Sequence, residues 1–254
     1  MMLLDTIDFL YEPYPIGTVT NVFQKELYEK MAQNFPPVDL FEHKEFLGHK
    51  YSLSEVNNTD RYHTFVRSNP LWNDFYHWIK REDFPFEVLE KLRRYNIDLG
   101  VTRRPKHLSG RARVWLRDLR LKPGMSPLFI PRLRTRFEFS MLPAAGGSIK
   151  PHTDQPQKII TLVVAMPQNG EWRPEYGGAT EVMRPKDIKQ NFNFMNNQLN
   201  FDEVETLRSL EYQPNQCVVF IKTFNSLHGV RPMKGTGTGL MRKTLTINIE
   251  QLRR

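Results

Sequence analysis

What most limits the folds open to this chain is a change of pattern near residue 110, after which it becomes a series of short strand-like segments separated by turn residues. From Arg132 to Met141 the residues alternate, with Leu133, Phe137, Phe139 and Met141 on one face and Arg134, Arg136, Glu138 and Ser140 on the other. Thr135 is the one exception on the apolar side. Ala144-Ala145-Gly146-Gly147 then turns the chain. Ile159 to Met166 reads as a buried strand, Tyr176 to Thr180 as a bend entering another, and Gln216 to Thr223 as a further strand. In the last segment, Arg242 to Leu252, Lys243, Leu245, Ile247 and Ile249 oppose Arg242, Thr244, Thr246 and Asn248. The first hundred residues differ. Helical spacing runs over Gln24 to Phe35, Leu71 to Arg81 and Phe86 to Tyr95, and the polar stretch Glu45 to Asp60 is expected to be loop. Strands following helices predict an α+β chain, a sandwich or barrel with helices packed on one outer face. A single domain over 1–254 is expected, with a mainly helical part at 1–109 and a β core at 110–254.

Composition narrows the class. With 39% hydrophobic and 25% charged residues the chain can bury a core and is not disordered overall. Its single cysteine, Cys217, rules out an internal disulfide and a thiolate-rich zinc site; it opens an apolar strand and reads as core. Met1 to Tyr11 carries Asp5 and Asp8 and makes a poor secretory signal, and Ile159 to Met166, the longest nearly apolar run, is too short to cross a bilayer. A cytoplasmic protein without membrane insertion is expected, with its oligomeric state left open. The net charge of +8 is uneven: between Arg93 and Arg136 thirteen Lys or Arg stand against Asp98 and Asp118. Such a segment can attract nucleic acid, an anionic small molecule or a membrane surface, or serve as a solvated face. Its few aromatics, Tyr95, Trp115 and Phe129, form no regular pattern for stacking bases, so nucleic acid is disfavoured as a partner.

The chemistry-bearing residues cluster in the β half. In Ile149-Lys150-Pro151-His152-Thr153-Asp154, residues i and i+2 of an extended backbone project to one side, so His152 and Asp154 can converge on one metal. His228, in Phe224-Asn225-Ser226-Leu227-His228-Gly229-Val230-Arg231-Pro232, follows a predicted strand and precedes Arg242. Two imidazoles and a carboxylate on one face of a metal leave three adjacent positions open, as in non-heme Fe(II) oxygenases; zinc hydrolases use the same ligand types. The remaining histidines, His43, His49, His63, His77 and His107, lack matching spacing and are read as structural or solvated.

His152-x-Asp154, then His228, then a basic residue opening the next strand resembles the 2-oxoglutarate and Fe(II)-dependent oxygenases. The wording PHTDQPQKIITLVVAMP, W-x-x-x-x-GGAT and NSLHGVRP is most similar to the prolyl-4-hydroxylase-like branch, over roughly residues 130 to 250. The resemblance implies a double-stranded β-helix (jelly-roll) core, Fe(2+) held by His152, Asp154 and His228, and 2-oxoglutarate and O2 as cosubstrates, with ascorbate possible as well. It also implies a basic side chain meeting the distal carboxylate of 2-oxoglutarate. In this branch that residue often lies about ten positions after the second histidine, which here is Thr238; the longer loop Lys234 to Met241 moves it to Arg242 or Lys243. Strand alternation and the bidentate reach of a guanidinium favour Arg242. Thr161, a hydroxyl in an otherwise apolar strand, is a second candidate for the cosubstrate. Arg136, Glu138 and Trp172 are the substrate candidates, with Tyr176 beside Trp172 in a loop that could cover the site.

The reaction expected is hydroxylation of a C–H bond of a small molecule or amino-acid-type substrate, anionic or zwitterionic, with release of succinate and CO2. The same chemistry on a protein residue, or nucleic-acid demethylation, is the alternative. Asn248, six residues after Arg242, counts against demethylation, because the nucleic-acid demethylases carry a second arginine there. Asp154 counts against halogenation, since the relatives that halogenate have a small residue in its place. A β-barrel binding protein with an accidental metal motif is the reading from another class.

Overall fold

The computed structural model describes residues 1–101 and 132–252. Most of the basic segment, and with it His107, Trp115 and Phe129, lies outside the described residues.

Among the described residues, twelve strands form two antiparallel sheets. The larger contains β1 (Asp8–Leu10), β2 (Ile16–Val19), β3 (Glu42–Lys44), β4 (Lys50–Ser54), β5 (Arg132–Pro143), β7 (Lys158–Ala165), β10 (Cys217–Ile221) and β12 (Met241–Leu252), in the order β1-β2-β10-β7-β12-β5-β4-β3. The smaller contains β6 (Ile149–His152), β8 (Thr180–Pro185), β9 (Val204–Leu210) and β11 (His228–Val230), in the order β6-β11-β8-β9. The described residues include the helices α1 (Lys25–Gln33), α2 (Thr59–Ser68), α3 (Pro70–Ile79) and α4 (Phe84–Arg93). This is a jelly-roll core with helices on an outer face: strand alternation and helical spacing predict the layered arrangement of sheets and helices, and the family resemblance implies the jelly roll. None of the described helices is long and apolar enough to cross a membrane.

The main core lies between the helices and the larger sheet. Met31 of α1, Trp72 and Phe75 of α3 and Leu92 of α4 pack in one buried cluster with Phe137, Phe139, Leu162, Leu245 and Ile247 from the sheet. Each strand therefore sends one set of alternate residues to the helices and the other set toward the smaller sheet. Ile247 is fully buried, opposite Phe137 on β5 and Leu162 on β7. Ile247→Val removes one methyl group from this core and is expected to cost about 0.5–1.5 kcal/mol. For a domain of this size that is a fall of roughly 1–6 °C in the melting temperature, which calorimetry would measure.

One expectation is corrected. Glu45 to Asp60 is not simply loop: it contains a 3-10 turn (Glu45–Leu47), β4 and the first residues of α2. β4 pairs with β5 through Tyr51↔Met141, Ser52↔Ser140, Leu53↔Phe139 and Ser54↔Glu138. Only Leu53, fully buried, and Tyr51 join the main core. Lys50, Ser52 and Ser54 take the alternate, polar positions of the strand. Asn58 ties the strand to α2 by accepting from the Ser54 amide at 2.8 Å and donating to the Ser52 carbonyl at 3.0 Å. Gly48 then brings this element against β6. Its φ is +70°, its carbonyl accepts from the Ser148 amide at 3.1 Å, and an added Cβ would stand 2.2 Å from the Ser148 carbonyl oxygen. Only glycine fits there. The N-terminal hundred residues thus supply four strands as well as the helices, and part of the wall of a cavity between the sheets.

Candidate metal and cosubstrate site

That cavity has a volume of about 200 Å³. Its wall includes His152, Asp154, Thr161, His228 and Arg242, which the sequence singles out from four separate segments.

β6 and β11 are neighbours, with His152 directly opposite His228. This cross-strand pairing sets the two imidazoles 4.4 Å apart between centroids. Each ring's Nδ1 faces a backbone carbonyl, Lys150 at 3.0 Å for His152 and Ser226 at 2.9 Å for His228. A carbonyl can only accept, so each Nδ1 carries the proton and each Nε2 keeps a free lone pair. Desolvation, then the neighbouring His228, lowers the His152 pKa to about 3. Desolvation lowers that of His228 too, against the pull of Asp154. Both rings are held neutral, the form that binds a metal.

Asp154 arrives differently from the extended geometry the i, i+2 spacing suggests. β6 ends at His152, and Asp154 turns back with φ +68°, a left-handed conformation uncommon outside glycine. The surroundings hold that turn. Lys222 Nζ donates to the Thr153 carbonyl, the Thr153 hydroxyl and the Asp154 carbonyl at 2.9, 2.9 and 2.8 Å. Thr153 in turn donates to the Asn193 carbonyl. The Asp154 Oδ1 then lies 3.8 Å from His152 Nε2, and the donor atoms of His152, Asp154 and His228 all fall within 4.8 Å of one another. Burial works against the Asp154 carboxylate, but Lys158 and the two histidines outweigh it, and its pKa falls well below the usual carboxylate range. Two neutral Nε2 donors and one ionised carboxylate oxygen facing one space fit a divalent metal.

Thr161 on β7 donates to Asp154 Oδ2 at 2.9 Å and also lies 3.2 Å from Asn248 Oδ1. Its hydroxyl orients the carboxylate as well as lining the cavity. Thr161→Val is expected to weaken Fe(II) affinity about tenfold, the cost typical of losing an outer hydrogen bond to a metal ligand. Metal titration would check it. A change confined to the 2-oxoglutarate dissociation constant would instead assign the hydroxyl to the cosubstrate.

Arg242 sits at the start of β12 with 4% of its surface exposed. Its Nε donates to the Gly178 carbonyl at 2.7 Å, and its guanidinium carbon lies 4.5 Å from the centre of the Tyr212 ring. The bend that makes this possible is Gly177-Gly178. Gly178 has φ +88°, and a Cβ there would stand 3.1 Å from Arg242 Cδ and 3.2 Å from both Met233 and Trp172. Burial pulls the guanidinium pKa down, and among the described residues no carboxylate lies within ion-pair distance of it. Lys243 points the other way and pairs with Glu171 at 2.6 Å. Thr244 and Thr246 continue the Arg242 face along the cavity wall.

The remaining candidates separate. Glu138 lines the cavity and pairs with Lys50 at 3.1 Å. Arg136 joins Arg134 in gripping the fully buried Glu250 and is not part of the wall. Trp172 stands behind the bend, donating to the Gly177 carbonyl at 2.9 Å and packing edge-on to Tyr176 and Tyr212. Sequence reasoning missed Lys50 and Lys158, both in the cavity wall, and Phe46, which is 82% exposed at its edge. Lys158 stands three residues before Thr161, a spacing that strand alternation assigns to the opposite face, and the register shift beside it, where Ile249 pairs with Ile160 but Glu250 with Lys158, carries no sequence signal; nor do Phe46 and Lys50.

Residues 137–250 match the sequence model of the 2OG-Fe(II) oxygenase superfamily. No curated protein matches the chain. Among solved structures it is similar to a prolyl-4-hydroxylase from Pseudomonas putida, at 14% identity over 93% of this chain and 92% of that one, with a TM-score of 0.49. It is also similar to a prolyl hydroxylase from Trichoplax adhaerens, solved with a peptide fragment of the hypoxia inducible factor oxygen degradation domain. There the identity is 10%, over 93% and 83% of the two chains, with a TM-score of 0.48. Over residues 137–250, the segment that carries the three converging donors and Arg242, the chain is thus similar to the 2OG-Fe(II) oxygenase superfamily, whose members use Fe(II), 2-oxoglutarate and O2.

Proposed function

We propose that this enzyme hydroxylates a C–H bond of a small molecule, with His152, Asp154 and His228 holding Fe(II) and Arg242 anchoring 2-oxoglutarate. The observation that carries the reading is a buried guanidinium, with no carboxylate partner among the described residues, in the same cavity as the three converging donors. A buried charge lacking a counter-ion is costly, and a dicarboxylate cosubstrate would supply one. The balance is substrate C–H, 2-oxoglutarate and O2 giving substrate C–OH, succinate and CO2. Bound Fe(II) supplies the site at which O2 is reduced and the cosubstrate decarboxylated.

The protein's own part is binding and orientation. The carbonyls of Lys150 and Ser226 fix both imidazole tautomers, and Thr161 and Lys158 fix the two oxygens of Asp154. Arg242, steadied by Gly178 and Tyr212, offers two terminal N–H edges to a carboxylate. Phe220 stacks on His228 at 4.1 Å and, with Val163 and Leu142, gives the wall an apolar side that limits water around the reacting carbon. A cavity of about 200 Å³ suits a small substrate. Succinate formation by the Fe(II)-loaded enzyme over a panel of metabolites tests the reading. One succinate per hydroxylated product is expected; product formed without 2-oxoglutarate would overturn it.

A further inference from the structure

The cavity holds more positive charge than the proposed reaction uses. Among the described residues, Lys50, Lys150, Lys158 and Arg242 line it against Glu138 and Asp154. With both imidazoles neutral, the wall has a surplus of two positive charges. On the oxygenase reading a divalent metal and a doubly negative cosubstrate enter together and cancel, so the surplus persists in the loaded site.

Lys158 is the side chain most affected. Its Nζ is 3.3 Å from Asp154 Oδ1, and 19% of its side chain is exposed. Once Asp154 carries a metal, this ammonium faces a second positive centre across a single carboxylate, and in a poorly solvated cavity that repulsion calls for another anion. Lys50 provides a second ammonium. It reaches in from β4 to Glu138 Oε1 at 3.1 Å. Burial opposes ionisation of Glu138, but Lys50 and then Lys158 outweigh it, and all three side chains line the same cavity. Arg242 begins β12, whereas Lys158 is in register with Glu250 near that strand's end. A second carboxylate therefore has an anchor apart from that of the cosubstrate.

We propose that Lys158 and Lys50 form an anion subsite for a carboxylate of the substrate, so that the enzyme acts on a small carboxylic acid. Glu138 is a positioning residue that keeps the two ammonium groups on one side of the cavity. Lys50 on β4 lies outside the matched segment 137–250, whereas Lys158 and Glu138 lie within it, so the N-terminal part of the chain supplies one of the two ammonium groups.

The proposal rests on the oxygenase reading, and one experiment separates the two. Protein loaded with Mn(II) and 2-oxoglutarate is titrated with acetate, and the relaxation rate of the acetate methyl protons is followed by NMR, with acetamide as the neutral control. A saturable enhancement is expected for acetate and none for acetamide. Lys158→Met should weaken acetate binding at least fivefold while Lys158→Arg largely preserves it. Lys50→Met, which touches no metal donor, should weaken it about twofold or more. Equal enhancement by acetamide, no enhancement, or acetate binding unchanged in both methionine variants overturns the subsite. Failure of Mn(II) and 2-oxoglutarate to bind at all would overturn the oxygenase reading instead.

Discussion

His228→Ala is expected to abolish the absorption band that Fe(II) and 2-oxoglutarate give together under anaerobic conditions, and to reduce succinate formation on the order of a thousandfold or more. Such a loss corresponds to over 4 kcal/mol, at about 1.4 kcal/mol per decade. Its size follows from geometry. His228 is 8% exposed, faces His152 across the β6–β11 pair and stacks on Phe220. Its Nε2 is aimed into the cavity by the Ser226 carbonyl, and no other described histidine reaches the site. His152→Ala should behave alike. The melting temperatures of the metal-free variants separate ligand loss from misfolding. A band that survives in both would remove these histidines from the ligand set.

The second large effect concerns the cosubstrate. Arg242→Ala should weaken 2-oxoglutarate binding by about 2–4 kcal/mol, the cost of leaving a buried carboxylate without its charged partner. That is roughly a 30- to 700-fold rise in dissociation constant. Lys243→Ala loses a pairing with Glu171 on the opposite face of β12 and should leave 2-oxoglutarate binding nearly unchanged. Fe(II) affinity measured without cosubstrate should barely differ between the two variants. The reverse ranking would move the anchor to Lys243.

The difference between Arg242 and Lys243 is legible in the sequence, because β12 separates polar and apolar residues cleanly and period two assigns each set to a face. The same holds for β5, whose apolar Phe137 and Phe139 are buried against the helices, whereas β7, apolar on both sides after Lys158 apart from Thr161, is legible as a buried strand by its composition. The donors are legible because His152, Asp154 and His228 sit in short, distinctive words. The way Asp154 reaches the site is not: its left-handed turn depends on Lys222 and Asn193, which come from distant segments. β4 is hidden for a related reason. Its Lys50 lines the cavity, its Ser52 and Ser54 are buried in hydrogen bonds with Asn57 and Asn58, and a strand with so few apolar residues reads as loop. β9 is exposed along nearly all its length and lacks an apolar stripe to mark it. Elements shaped by the cavity lose the hydrophobic pattern that reveals elements shaped by the core.

The most direct test of the account is an anaerobic titration of Fe(II) and 2-oxoglutarate into the metal-free protein, followed by the metal-to-cosubstrate absorption band. One Fe(II) and one 2-oxoglutarate per chain are predicted, with the band appearing only when both are present. Stoichiometric Fe(II) uptake without any band on adding 2-oxoglutarate would contradict the assignment of this cavity as the shared site of metal and cosubstrate.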